Sequence, residues 1–234
     1  MIGSGVDFLA KRLLQTEDYQ YKNSKVIKLP DYSFYNDSRL TLINLPNTQI
    51  VGEYSFYNCQ NLQNVSLDSV VKIDKFVFCD CRNIKSISFQ HLTDLGNYTF
   101  QNCVQLKDIN LPKLTKIGQY TFANCSSLEN IEFKNATIID NSAFENCISL
   151  KNVRLGNITH LKKRVFYNCI SLSTIILDKY QVCVLENIEN CLPVDENHHI
   201  DVYVPRELLE HYKVANNWKK LYEKGYISFK EIKY

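Results

Sequence analysis

Phenylalanine recurs every 22 residues, at Phe34, Phe56, Phe78, Phe100, Phe122, Phe144 and Phe166. A fixed internal period of this length is the mark of a solenoid, in which each repeat stacks only on its neighbours. Five further lanes keep the register. Cysteine follows each of the last six phenylalanines by three positions, as Cys59, Cys81, Cys103, Cys125, Cys147 and Cys169, and Asp37 takes that slot in the first repeat. Aliphatic residues stand six after (Leu40 to Leu172) and nine after (Ile43 to Ile175). Leucine or phenylalanine stands eleven after (Leu45 to Leu177), and an aliphatic residue stands five before (Val51 to Leu161). One repeat cannot enclose these side chains by itself. Stacked repeats can, and each large apolar side chain buried contributes about 1.5–3 kcal/mol against the entropy of ordering the chain.

Each repeat reads as a short strand and a return. In Leu106-Lys-Asp-Ile-Asn-Leu111 the second half alternates, with Ile109 and Leu111 inward and Asp108 and Asn110 outward. Successive strands then pair in parallel. The stretch from Ile117 to Cys125 reads as a turn followed by a helical or 3-10 return. Gly52, Gly96 and Gly118 suit a tight turn, and Pro46 and Pro112 follow strand ends, where a missing N–H costs least.

The unit LPKLTKIGQYTFANCSSLENIEF, residues 111–133, resembles the BspA-like leucine-rich repeat. The resemblance covers about residues 26–178, which hold seven repeats. It implies an α/β repeat solenoid: a leucine-rich-repeat-like right-handed coil with short parallel strands on one face and helical or 3-10 returns on the other. It also implies an adhesion or recognition module of bacteria, their phages or some protists, and no enzymatic activity.

A solenoid needs lids at both ends. Residues 1–25 read as an N-terminal cap, with Val6–Leu14 as a short amphipathic helix. Residues 179–234 read as a C-terminal cap. There Gln181–Leu185 resembles a last strand, residues 192–199 a loop and Ile200–Val204 an alternating strand. Pro205 opens a helix carrying Leu208, Leu209, Tyr212, Val214, Trp218 and Leu221 on one stripe. The ending VYVPRELLEHYKVANNW resembles the terminal cap of phage-associated and gut-bacterial family members, which implies a phage or prophage origin.

Nine cysteines raise the question of disulfides or thiolate metal sites. The lane spacing favours small buried groups, and Cys79 with Cys81 is a lone C-x-C without a second half. His198 and His199 beside Asp195 and Glu196 read as a solvated loop, and the remaining histidines are isolated. No nucleophile elbow, zinc-binding helix or phosphate-binding loop is present. No cofactor and no metal are therefore expected. A net charge of +2 gives no argument for nucleic acid, and no apolar run is long enough to span a bilayer. The first 15 residues lack the pattern of a signal peptide, so a virion-associated or otherwise cytoplasmic location is expected. Several tyrosines keep the register. Tyr32, Tyr54, Tyr98 and Tyr120 stand two before the lane phenylalanine, with Phe76 in the same slot, and Tyr35, Tyr57 and Tyr167 stand one after. Packing between turns is the first expectation for them, and a recognition surface the second.

The outward strand positions form a mostly polar strip: Asn64, Ser66, Ser86, Ser88, Asp108, Asn110, Asn130, Glu132, Asn152, Arg154 and Thr174, with Ile176 at its end. This strip is the expected ligand-binding surface. Its ligand is a protein or a cell-surface glycan, and the caps are possible attachment points for other virion proteins. The leading expectation is a host- or surface-recognition component of a phage virion or prophage. An interaction scaffold and a purely structural virion subunit are the alternatives.

Overall fold

A computed structural model describes residues 19–187 and 190–233; the helix expected over Val6–Leu14 lies outside them. The chain winds as a parallel β-solenoid. Its front strands are Gln20–Lys22, Leu42–Asn44, Asn64–Ser66, Ser86–Ser88, Asp108–Asn110, Asn130–Phe133, Asn152–Leu155, Thr174–Leu177, Ile200–Val204 and Ile227–Glu231. They pair in parallel in three blocks of three, two and five strands. A second row of two-residue strands runs along the side, from Lys28–Leu29 through Lys116–Ile117 to Val184–Leu185. All but the last are built on the apolar lane five residues before each phenylalanine, as in the pairing of Ile117 with Ile139.

The expected helical or 3-10 returns are not formed; the returns are successive tight turns. Two residues before and two after each lane phenylalanine, φ is positive: 58° at Tyr32 and 59° at Asn36, 52° at Tyr120 and 62° at Asn124. A left-handed residue every fourth position cannot sit in a right-handed helix. The amide donors also point along the solenoid axis instead of back along the chain. Phe34 N–H donates to the Ser55 carbonyl at 2.7 Å, Phe100 to Thr121 at 2.9 Å and Phe122 to Ala143 at 2.8 Å. Interleaved three-residue turns satisfy the rest, as Cys125 N–H does on the Phe122 carbonyl at 3.2 Å. Bonding to the next coil thus replaces bonding within a helix.

The repeat glycines Gly52, Gly96 and Gly118 serve close approach, since the φ reversals of the repeats fall on other residues. At Gly96 a β-carbon would run into the backbone of Asp74 and Lys75 in the preceding coil.

Stacking places like on like. The seven lane phenylalanines are at most 1% exposed and form one internal column. Neighbouring rings in it lie 5.1–5.7 Å apart from Phe34 to Phe166. Beside it runs the cysteine column. Each thiol donates to the phenylalanine carbonyl of the preceding coil, Cys81 to Phe56 at 3.0 Å and Cys125 to Phe100 at 3.2 Å. This explains cysteine where any small apolar group would fill the space: its weak S–H donor reaches an otherwise singly bonded buried carbonyl. All nine cysteines are buried and unbridged. Burial raises their thiol pKa values, to about 12 at Cys79 and Cys191. The reactive thiolate is therefore disfavoured at neutral pH. An aromatic disulfide reagent should find no fast-reacting thiol in the native protein and all nine after unfolding in urea. A rapidly labelled native cysteine would contradict this packing.

The last repeats depart from the period. Phe144 N–H donates to Val165, 21 residues on, but Phe166 donates to Cys191, 25 residues on. Val184–Leu185 is a side strand rather than the last strand expected of Gln181–Leu185. Two more front strands follow, Ile200–Val204 and Ile227–Glu231. Between them lie a 3-10 turn at Arg206–Leu208 and two helices, α1 (Leu209–Val214) and α2 (Asn216–Glu223). The single helix expected after Pro205 is broken at Ala215, whose ψ of 122° is extended. This unit closes the end of the core. Tyr212 Oη accepts from Cys183 N–H at 2.9 Å, and Trp218 Nε1 donates to the Cys183 carbonyl at 2.7 Å.

Candidate functional site

Strand pairing sorts the outward residues into two columns. In the longest block, Asn130 faces Asn152, Asn152 faces Thr174 and Thr174 faces Asp201, while Glu132 faces Arg154 and Arg154 faces Ile176. In the second block Ser86 faces Asp108 and Ser88 faces Asn110; in the first, Leu42 faces Asn64 and Asn44 faces Ser66. Asn64, Ser86, Ser88, Asp108, Asn110, Asn130, Glu132 and Asn152 are exposed, and Ser66, Arg154, Thr174 and Ile176 are half-buried. The pleat explains this alternation, since neighbouring residues of a strand point to opposite faces.

The columns differ in chemistry along their length. Toward the N-terminus they are mostly amides and serines, with Lys22 and Asp108 the charged exceptions, and Asn110 Nδ2 donates to Ser88 Oγ at 3.3 Å. Asn152 Nδ2 likewise donates to Asn130 Oδ1 at 2.7 Å. Toward the C-terminus they are charged and paired. Arg154 reaches Asp178 at 2.8 Å and Glu132 at 3.8 Å, and Lys230 reaches Asp201 at 2.6 Å. Between these pairs stand the half-buried Ile176 and Tyr203, which face each other across neighbouring strands. A groove of about 390 Å³ crosses this part of the strip, lined among others by Asp108, Asn130, Glu132, Asn152, Arg154 and Ile176.

Asp201, Tyr203, Ser228 and Lys230 extend the strip beyond the residues expected from sequence. The alternation of Ile200–Val204 marks a strand, but its pairing with Thr174–Leu177 is offset by 27 residues, so a 22-residue period does not place it. A further hollow, of about 500 Å³, is the crease where the lengthened return after Phe166 meets the cap, beside Ile170, Leu192 and Tyr226.

His199, Ser228 and Asp201 do come together, but not as a proton relay. His199 Nε2 lies 2.9 Å from Ser228 Oγ and 3.8 Å from Asp201, while Nδ1 contacts the Gly225 carbonyl at 2.9 Å. A relay needs the carboxylate on the nitrogen opposite the hydroxyl. His198 instead contacts the Leu172 carbonyl at 2.6 Å, tying the cap loop to the last regular coil. Among the described residues no three His, Cys, Asp or Glu side chains are grouped to hold a metal ion, and no helix is long and apolar enough to cross a membrane.

Stacked short parallel strands with a repeated leucine and phenylalanine core define a leucine-rich-repeat solenoid, a class whose extended faces serve binding. The chain belongs to the family of the BspA type leucine rich repeat region, whose model matches six copies over residues 26–135 and 115–191. Solved structures agree in fold. A leucine-rich repeat protein from Bacteroides ovatus is 22% identical with a TM-score of 0.50, over 76% of this chain and 59% of that one. The pneumococcal vaccine antigen PcpA is 13% identical with a TM-score of 0.55, over 88% and 67%. A leucine-rich repeat protein from Eubacterium ventriosum is 17% identical with a TM-score of 0.56, over 70% and 62%. The chain thus spans less than two thirds of the Bacteroides and Eubacterium proteins. No curated protein matches it in sequence.

Proposed function

We propose that the protein is a non-catalytic recognition module that binds a protein partner across the C-terminal half of the front strip. The observation that carries this reading is the Ile176–Tyr203 pair, flanked by the Arg154–Asp178 and Lys230–Asp201 ion pairs. Apolar and aromatic anchors beside arginine make up the energetic centres of protein interfaces, and surrounding charges of both signs select the partner. The amide and serine positions nearer the N-terminus add contacts of lower energy. Surface recognition is the setting this family suggests. The narrower reading, a component of a phage virion or prophage, rests on the sequence of the C-terminal cap, and recovery of the protein in purified particles tests it.

The expected result of changing Ile176→Asp together with Tyr203→Ala is a loss of at least about tenfold in retention on whole bacterial cells, corresponding to roughly 1.4 kcal/mol. Asn64→Ala with Ser86→Ala should change retention little. Equal retention of the Ile176/Tyr203 variant and the unaltered protein, with both folded by circular dichroism, would remove the front strip as the binding surface. If the part of retention that the Ile176/Tyr203 variant loses is removed by glycosidase treatment of the cells and unchanged by protease, the front-strip ligand is a glycan and the protein-partner reading fails.

A further inference from the structure

The return side carries a second ordered surface that the front-strip reading does not use. Two residues before each lane phenylalanine, Tyr32, Tyr54, Phe76, Tyr98 and Tyr120 form an outer aromatic column. Ring centroids are 4.6–5.2 Å apart and neighbouring planes lie within 8° of each other. Tyr35 and Tyr57 stack beside it at 5.2 Å. Tyr32 and Tyr35 are exposed and the other rings half-buried.

The fold does not require these rings. Their φ values are positive, from 52° at Tyr120 to 61° at Tyr98, a region unfavourable for bulky side chains. Ser142 and Arg164 occupy the same lane with the same φ of 57°, so the turn forms without an aromatic group. Sparsely populated backbone conformations held by unsuited residues gather at functional sites.

The groups around the column share one character. Two residues after the phenylalanines runs a ladder of asparagine carboxamides interrupted once by Asp80, with Asn58 donating to Asn36 at 2.9 Å, Asn102 to Asp80 at 3.1 Å and Asn124 to Asn102 at 2.7 Å. Gln105 donates to Asn83 at 2.9 Å in a third row. Three nearby ion pairs cancel charge in place, Glu53 with Lys75 at 3.3 Å, Asp80 with Arg82 at 3.4 Å and Asp37 with Arg39 at 3.0 Å, which leaves the exposed carboxylate of Asp31 at the N-terminal end of the column. The surface therefore offers phenol hydroxyls, carboxamides and ring edges, and no free charge of either sign from these pairs.

We infer that this face binds a neutral polysaccharide lying along the solenoid axis. A neutral polymer leaves no charge for the face to match. Carboxamides and phenols both donate to and accept from sugar hydroxyls, and the ring edges turn their weakly positive C–H groups toward sugar oxygens. An extended β-linked hexose chain also advances by roughly one sugar over the distance between neighbouring coils, so one set of contacts recurs at every step. Long uncharged ladders suit such a repeating ligand better than an irregular protein surface.

The test uses the full chain in affinity electrophoresis through gels containing hydroxyethyl cellulose, glycol chitin, or heparin as the acidic control. Retardation is expected in at least one neutral gel and not in heparin. Tyr54→Ser, Tyr98→Ser and Tyr120→Ser together copy the residue found at Ser142 and should weaken retardation at least tenfold. The variant Tyr54→Phe, Tyr98→Phe, Tyr120→Phe keeps the stack but removes the hydroxyls, and should weaken it several-fold even if the serine variant fails to fold. The Ile176→Asp, Tyr203→Ala variant should bind the polysaccharide normally, which separates this inference from the front-strip reading. No retardation in either neutral gel, retardation in heparin alone, or undiminished binding by the phenylalanine variant would overturn it.

Discussion

Trp218→Ala is expected to destabilise the protein by about 3–5 kcal/mol, the range for deleting a large buried aromatic side chain. Trp218 is 1% exposed and packs edge-on against Tyr212 at 5.7 Å and Phe229 at 6.1 Å. Its Nε1–H also completes the backbone. In earlier coils the carbonyl of this side lane accepts from the next coil, as Thr137 does from Thr159 N–H at 2.8 Å. At Cys183 no regular coil follows, and the indole takes that place at 2.7 Å. The alanine variant thus loses packing and leaves a buried carbonyl unpaired. Tyr212→Phe removes only the acceptor for Cys183 N–H and should cost about 1 kcal/mol. Urea denaturation followed by far-ultraviolet circular dichroism checks both. A Trp218→Ala change of less than about 1 kcal/mol would mean that the cap does not close the core.

Phe100→Ala should also cost about 3–5 kcal/mol, and it should alter the shape of unfolding as well. Phe100 is fully buried between Phe78 at 5.3 Å and Phe122 at 5.5 Å. A solenoid is held by nearest-neighbour interfaces, so a cavity at the centre weakens the coupling between its two halves. The expected result is a lower urea midpoint with a smaller m-value, as the halves begin to unfold separately. An unchanged m-value with the full loss in midpoint would show that the coils remain one cooperative unit. A midpoint that does not move would contradict the continuous phenylalanine column.

The repeated interior was legible because each lane residue meets the same surroundings in every coil. Phe78, Phe100 and Phe122 form one column as the spacing requires, and the cysteines stay unbridged beside them. The outward strand positions were legible for the same reason, from Asn64 to Thr174. The nature of the returns was not. A segment such as Gly118–Cys125 fits both a helical turn and a run of tight turns, and the choice depends on whether its amides bond within the segment or to the neighbouring coil. The two-residue side strands were hidden too, because such short strands carry no alternation of their own.

Periodicity, then, was enough to establish the solenoid, its internal columns and the polar strip along its strands. Identical positions stacked on one another need the same side chain, and that demand is written in one dimension. The C-terminal unit is different, for the 22-residue period stops before it. The pairing of Ile200–Val204 and Ile227–Glu231, the meeting of Tyr203 with Ile176 and the indole closing the Cys183 carbonyl arise from contacts between segments with no common spacing. Those contacts depend on how a folded core leaves its last donors and acceptors, which is a property of the assembled coils.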